Sequence, residues 1–246
     1  MSAVGYYKAL MNKEQGGDEY PFQVYGNVKL WWDFSDPSKI TLSGSEITEI
    51  EGRDSSGVIG NPSNANSPTL LTSAQNGLNV ADFTASNYEL IRSATSLNIT
   101  SEGSVFIVVK VDSDPPPASF NTGMWSISTQ GGHYPFTNGI IYEYFGTTVR
   151  KTISGFAEDL SVYNVYHVDS TNGSFQAFLN NNSIFSTSSN TFENIQSVDI
   201  GASTPSLTSS GRWLDGIIGE LIILDRILNS TERGDMVSYL TNKWGL

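Results

Sequence analysis

The sequence predicts an all-β chain: a two-sheet antiparallel jelly-roll sandwich closed by one short C-terminal helix. Three observations carry this expectation. The texture is polar and turn-rich, with 38% hydrophobic and 15% charged residues and 23 glycines among 246 residues, which suits many short strands joined by tight turns. Strand-like runs recur along the chain, one of them apolar on both alternating faces. A helical start signal and helical spacing occur together only at the C-terminal end.

Residues 1–28 differ in texture from the rest of the chain. "YYKALMNKEQGGDEYPF" contains a short helical stretch, a Gly16-Gly17 break and Tyr20-Pro21, which favours extended backbone. The expectation is an N-terminal arm or attachment segment (1–28) followed by one domain (29–246). From Leu30 the texture is β. "SVFIVVKVD" places Val105, Ile107, Val109 and Val111 on one face and Phe106 and Val108 on the other. Such a strand belongs inside a sheet covered on both sides.

The three prolines in "VDSDPPPASFNTG" cannot donate to a sheet ladder and mark a stiff loop. Asn172-Gly173 between two strand-like runs signals a hairpin, and Asn180-Asn181-Asn182 makes the next turn before Ile184 and Phe185. Near the end, Asn229 and Glu232 have capping-box spacing. Val237, Leu240 and Trp244 come after them at helical intervals, and Gly245 stops the helix.

Composition narrows the functions. The net charge is −12, with only 13 Lys and Arg, which disfavours a nucleic acid partner. Zero cysteines exclude disulfides, thiol catalysis and cysteine-bound zinc. No apolar run reaches the roughly 20 residues a membrane helix needs, and the N-terminus shows no signal-peptide pattern.

An ordered set of motifs resembles the laminin-G-like (concanavalin A-like) jelly-roll domains found in tailed-phage structural proteins and bacterial secreted proteins. It runs from "LWWDFSDPSKIT" (30–41) through the Asp54–Gly57 turn and "SPTLLTSAQNGLNVADFTASNYEL" (67–90). It ends on Gly216, Ile218, Glu220, Tyr239, Leu240, Lys243 and Trp244. The resemblance implies a jelly roll over residues 30–246. It also implies a virion-type structural or adhesion protein, at a capsid or tail surface, or else a secreted one. Residues 1–28 would then dock onto other virion proteins, in an oligomeric assembly.

The same fold hosts glycoside hydrolases, so the carboxylates matter. Retaining hydrolysis needs two carboxyl groups about 5–5.5 Å apart, and no Glu-x-Asp-x-Glu strand pattern occurs. Glu220 shares its strand face with Ile222 and Leu224, while Asp215 and Asp225 fall on the other. Neither His133 nor His167 accompanies a Gly-x-Ser-x-Gly elbow. The expectation is therefore no enzyme, with a glycoside hydrolase or a lectin module of a secreted protein as alternatives.

For binding, "GGHYPFTNGIIYEYFG" offers aromatic faces beside amide donors, a composition suited to sugar rings. The candidate contact residues for a cell-surface glycan are His133, Tyr134, Phe136, Tyr142 and Tyr144. Asp33, Asp36 and Asp54 are candidate ligands for a loop-bound Ca²⁺; the competing reading makes them turn formers and strand ends.

Overall fold

The computed structural model describes residues 27–54, 57–62, 66–117, 122–127, 130–203 and 212–246. The predicted arm over residues 1–28 thus lies almost wholly outside the described residues. The strands, in chain order, are β1 (Val28–Asp33), β2 (Ile40–Ser43), β3 (Glu46–Glu51), β4 (Ile59–Asn61), β5 (Thr69–Gln75) and β6 (Leu78–Phe83). Then come β7 (Ile91–Ser93), β8 (Glu102–Val111), β9 (Gly123–Ile127), β10 (Gln130–His133), β11 (Ile141–Glu143) and β12 (Lys151–Ile153). β13 (Asn164–Thr171), β14 (Ser174–Leu179), β15 (Asn182–Thr187), β16 (Val198–Ile200) and β17 (Gly216–Leu224) complete the strands of the described residues, among which one α-helix, α1 (Ser230–Trp244), follows β17.

Every pairing between these strands is antiparallel, as the alternating texture requires. One layer runs β1-β17-β8-β13-β14-β15. The other runs β12-β11-β10-β9-β16-β7-β4-β3-β2. β6 pairs with the start of β17 and with β5, and β5 touches β3, so the two layers are edges of one folded-over sheet. The all-β sandwich with a single C-terminal helix is the architecture the sequence predicts.

The layers face each other across one apolar core. Val105, Ile107 and Val109 of β8, Tyr166 and Val168 of β13, and Leu221 and Ile223 of β17 meet Trp125, Ile141, Ile153 and Ile200 from the opposite layer. The alternate residues of the same strands, Phe106, Val108, Val165, Ile222 and Leu224, point outward, where α1 covers them with Met236, Val237, Leu240 and Trp244. β8 is buried on both faces because the second sheet covers one side and the helix the other.

Local signals in the chain produce their elements. Asn229 accepts from the backbone N–H groups of Thr231 and Glu232, and the Glu232 carboxylate takes the Asn229 N–H, closing the capping box. Gly245 ends the helix in the left-handed region at φ 68°. At the β14–β15 turn, Asn180 and Asn181 both adopt positive φ (48° and 70°), the conformation that a two-residue hairpin demands.

One feature breaks the simple alternation. The register of β17 against β8 shifts between Ile218 and Glu220, so Gly219 is the extra residue of a bulge. A side chain at Gly219 would meet the Trp244 ring at 2.9 Å. Glycine there lets the indole lie flat on the strand.

Candidate functional site

Three of the five nominated residues, His133, Phe136 and Tyr142, cluster around β10 and β11, while Tyr134 turns inward. His133 ends β10 and sits directly opposite Tyr142 of β11, so it is a strand residue rather than the loop residue its Gly-Gly-His-Tyr-Pro context suggests. Because neighbouring strand residues alternate, His133 and Tyr142 point away from the core. The loop between them returns Phe136 to the same place. The His133 and Phe136 rings meet edge-on at 5.1 Å, and the Phe136 and Tyr142 rings at 5.5 Å.

Polar groups frame this half-buried patch. The Arg150 guanidinium lies over the Tyr142 ring, 4.3 Å from its centre, and the Asn138 amide donates to the Tyr142 hydroxyl at 3.2 Å. Tyr144 stands just past the strand end, half-buried.

Tyr134 must be struck from the contact set. It is 0% exposed and packs against Tyr166 with ring centres 5.2 Å apart, inside the sandwich. It comes directly after His133 in sequence, and strand alternation sends it to the opposite side. Burial pushes its phenol well above the ordinary 10.0.

Beneath the patch lies a group that sequence reasoning missed. Glu143, adjacent to Tyr142, is 0% exposed and accepts four hydrogen bonds. The Trp125 indole N–H (3.0 Å) and the backbone N–H groups of Tyr144 (2.7 Å) and Phe145 (2.8 Å) reach one oxygen, and the Tyr166 hydroxyl (2.9 Å) reaches the other. Burial pushes the Glu143 carboxyl above its ordinary 4.5, and these donors offset part of that effect. The arrangement fixes the turn after β11 and hence the direction of Tyr142.

The signal was available: Ile141, Glu143 and Phe145 alternate with Tyr142 and Tyr144, which marks Glu143 as inward-facing. Sealed in the core, it cannot reach a substrate.

A polar cavity of about 380 Å³ also opens among Glu46, Asn66, Ser67, Asn87 and Glu89. Glu89 is nearly buried and is held by the Thr84 N–H (2.7 Å) and the Asn87 amide (3.1 Å). Burial raises its carboxyl above the ordinary value. The cavity walls come from β3, the segment before β5 and the β6–β7 connection, a convergence that no local motif announces.

The carboxylates considered for metal or catalysis are already engaged by the protein. Asp33 is 0% exposed and pairs with Lys243 and Arg53, each at 2.7 Å. Asp36 caps a short 3-10 turn through the Ser38 N–H and lies 3.4 Å from Arg53, while Asp54 accepts the Trp31 N–H at 3.0 Å. Two cations beside Asp33 already supply the positive charge that Ca²⁺ would bring, so this set does not fit the ion. Among the described residues no group of three metal-ligating side chains forms.

Glu220 is buried on the helix-covered face, as its alternation with Ile222 and Leu224 indicates. It accepts from the indole N–H groups of Trp31 (2.7 Å) and Trp244 (2.9 Å), the Tyr239 hydroxyl (3.0 Å) and the Lys243 ammonium (2.7 Å). The expectation that it lacks a neighbouring carboxylate is corrected by the register: Asp33 of β1 stands directly across from it. Asp215 and Asp225 lie elsewhere, bonded to the Ala85 N–H and to Lys29. His167 is also structural, clasped between the Phe106 and Phe178 rings (4.0 and 5.0 Å) with Nε2 2.7 Å from Asp169.

No protein family and no curated protein sequence matches the chain. Solved structures do. Domain 4 of AbnA, an extracellular arabinanase from Geobacillus stearothermophilus determined with arabinotriose, aligns with a TM-score of 0.56 at 14% identity, over 86% of this chain and 98% of that one. The binding domain of Paraclostridial Mosquitocidal Protein 1 gives 0.59 at 10% identity, over 88% of this chain and 53% of that one. A Trypanosoma rangeli sialidase mutant with trans-sialidase activity gives 0.58 at 10% identity, over 96% of this chain but 36% of the enzyme. The chain thus spans about half or less of the last two. At these identities the likeness establishes the fold: a β-sandwich shared by binding domains and by parts of glycan-processing enzymes.

Proposed function

We propose that the chain is a non-enzymatic glycan-contact module, and that the patch of His133, Phe136 and Tyr142, framed by Asn138 and Arg150, is its contact surface. The observation that carries this reading is the patch itself. Aromatic rings are gathered on the outward side of a sheet, with a carboxamide beside the Tyr142 hydroxyl and a guanidinium over the Tyr142 ring. Sugars present apolar C–H faces that stack on rings and hydroxyls that hydrogen-bond at the rim. The arabinotriose complex of a similarly folded domain supports the ligand class. Burial of Glu143 and Glu220 disfavours hydrolysis, since neither carboxylate is accessible. A role on a particle surface, anchored through residues 1–28, rests on the motif resemblance, and a secreted module would use the same patch.

The test is a glycan array with calorimetry on any hit, and with reducing-end release measured in parallel. Saturable binding without turnover is expected, lost in Tyr142→Ala and weakened in Arg150→Ala with thermal stability unchanged. Binding that survives Tyr142→Ala would move the contact surface elsewhere. Release of reducing ends would make the chain an enzyme.

A further inference from the structure

We propose that the Lys243 side chain and the Asp33 carboxyl become joined by an intramolecular amide bond, with Glu220 relaying the protons. Lys243 Nζ lies 2.7 Å from Asp33 Oδ2 and 2.7 Å from Glu220 Oε2. Both carboxylates are 0% exposed, and the Lys243 side chain is only 15% exposed. Trp31, Trp244 and Tyr239 each donate to Glu220 and wall the site. An amine, an acyl carbon and an acid–base group therefore share one largely buried site, brought together from β1, β17 and α1.

The chemistry needs no co-reactant. The Lys243 ammonium touches both carboxylates, and they differ as proton acceptors: burial acts to raise the Asp33 carboxyl, but Lys243, Ser35 and Arg53 outweigh it and hold that carboxyl below its ordinary value. Glu220 is the receiver: burial and then the neighbouring Asp33 charge push its carboxyl above the ordinary value. The freed Nζ lone pair attacks Asp33 Cγ, forming the C–N bond.

Donors already sit on both Asp33 oxygens. Arg53 is 2.7 Å from Oδ2, and the Ser35 hydroxyl (2.6 Å) and N–H (3.0 Å) reach Oδ1, where they would hold the oxyanion. One oxygen then leaves as water. Of the three ammonium hydrogens, one stays on the amide nitrogen and two depart with that oxygen by way of Glu220. No electrons are gained or lost. Fixed proximity raises the effective concentration of the reacting pair. The bond would tie β1 to the end of α1 in a chain with no cysteine to do so otherwise.

The test is the mass of the full chain, purified folded, held at neutral pH and then denatured. The expected mass is lower than the sequence mass by one water. A tryptic digest should yield residues 30–39 joined to residues 234–246, because an acylated Lys243 resists trypsin. Lys243→Arg should abolish the linked peptide, and Glu220→Gln should lower its yield at least tenfold, with circular dichroism confirming that each variant is folded. An intact sequence mass with Lys243 cleaved by trypsin overturns the proposal. So does a one-water deficit without the linked peptide, which would report dehydration elsewhere. Undiminished linkage in Glu220→Gln would remove Glu220 from the reaction.

Discussion

Replacing Glu143 tests how the core supports the outer patch. In Glu143→Ala four donors lose their acceptor: the Trp125 indole, the Tyr166 hydroxyl and the N–H groups of Tyr144 and Phe145. Each buried donor left unpaired costs about 1–3 kcal/mol, so the four together cost at least about 4 kcal/mol. That is comparable to the roughly 5–15 kcal/mol of a whole domain, and the variant should unfold or nearly so.

Glu143→Gln keeps the shape and removes the ionisation. Burial holds the native carboxyl above its ordinary 4.5, so the folded chain keeps this proton to higher pH than the unfolded chain does. Its contribution is fully present below 4.5 and is lost as pH rises through the folded value. Across that window the wild type should lose up to about 1.4 kcal/mol per pH unit relative to Glu143→Gln. Urea melts from pH 4 to 8, monitored by tryptophan fluorescence, give both numbers. A loss under about 2 kcal/mol in Glu143→Ala, or a wild-type-minus-Gln difference that stays flat with pH, would refute the argument.

Other expectations arise from the same packing. Trp244→Ala removes a fully buried indole from between α1 and β17 and should cost about 3–5 kcal/mol by chemical denaturation. Gly219→Ala drives a methyl into that indole at 2.9 Å and should cost about 1–3 kcal/mol, with a Trp244→Ala background relieving most of it in a double-mutant cycle. Asn229→Ala breaks the capping box and should lower stability by about 1 kcal/mol without changing the fold seen by circular dichroism.

What the sequence makes legible is what short-range rules govern. The two-faced strand β8, the Asn-Gly and Asn-Asn hairpins and the capped helix each depend on residues a few positions apart, and all appear where their patterns put them. The Gly219 bulge was hidden because its cause, the Trp244 ring, arrives from another element. The Asp33–Glu220 pairing was hidden for the same reason, since only strand register brings the two opposite each other. At the candidate site, aromatic composition singles out one segment but pools its inward and outward residues. Strand alternation separates Tyr134 from His133, and it would also have exposed Glu143.

The pairing of β1 with β17 sets the timetable of folding. Trp31 and its partner Glu220 are 189 residues apart, and a ribosome delivers them in that order. β1 therefore leaves the tunnel with its tryptophans uncovered and waits for nearly the whole domain to be made before its ladder can form. Lys243 and Trp244, synthesised after every strand of the domain, then seal the joint. A chain stopped before Lys243 would lack this seal, so such truncated products should be recognisable to quality-control proteases.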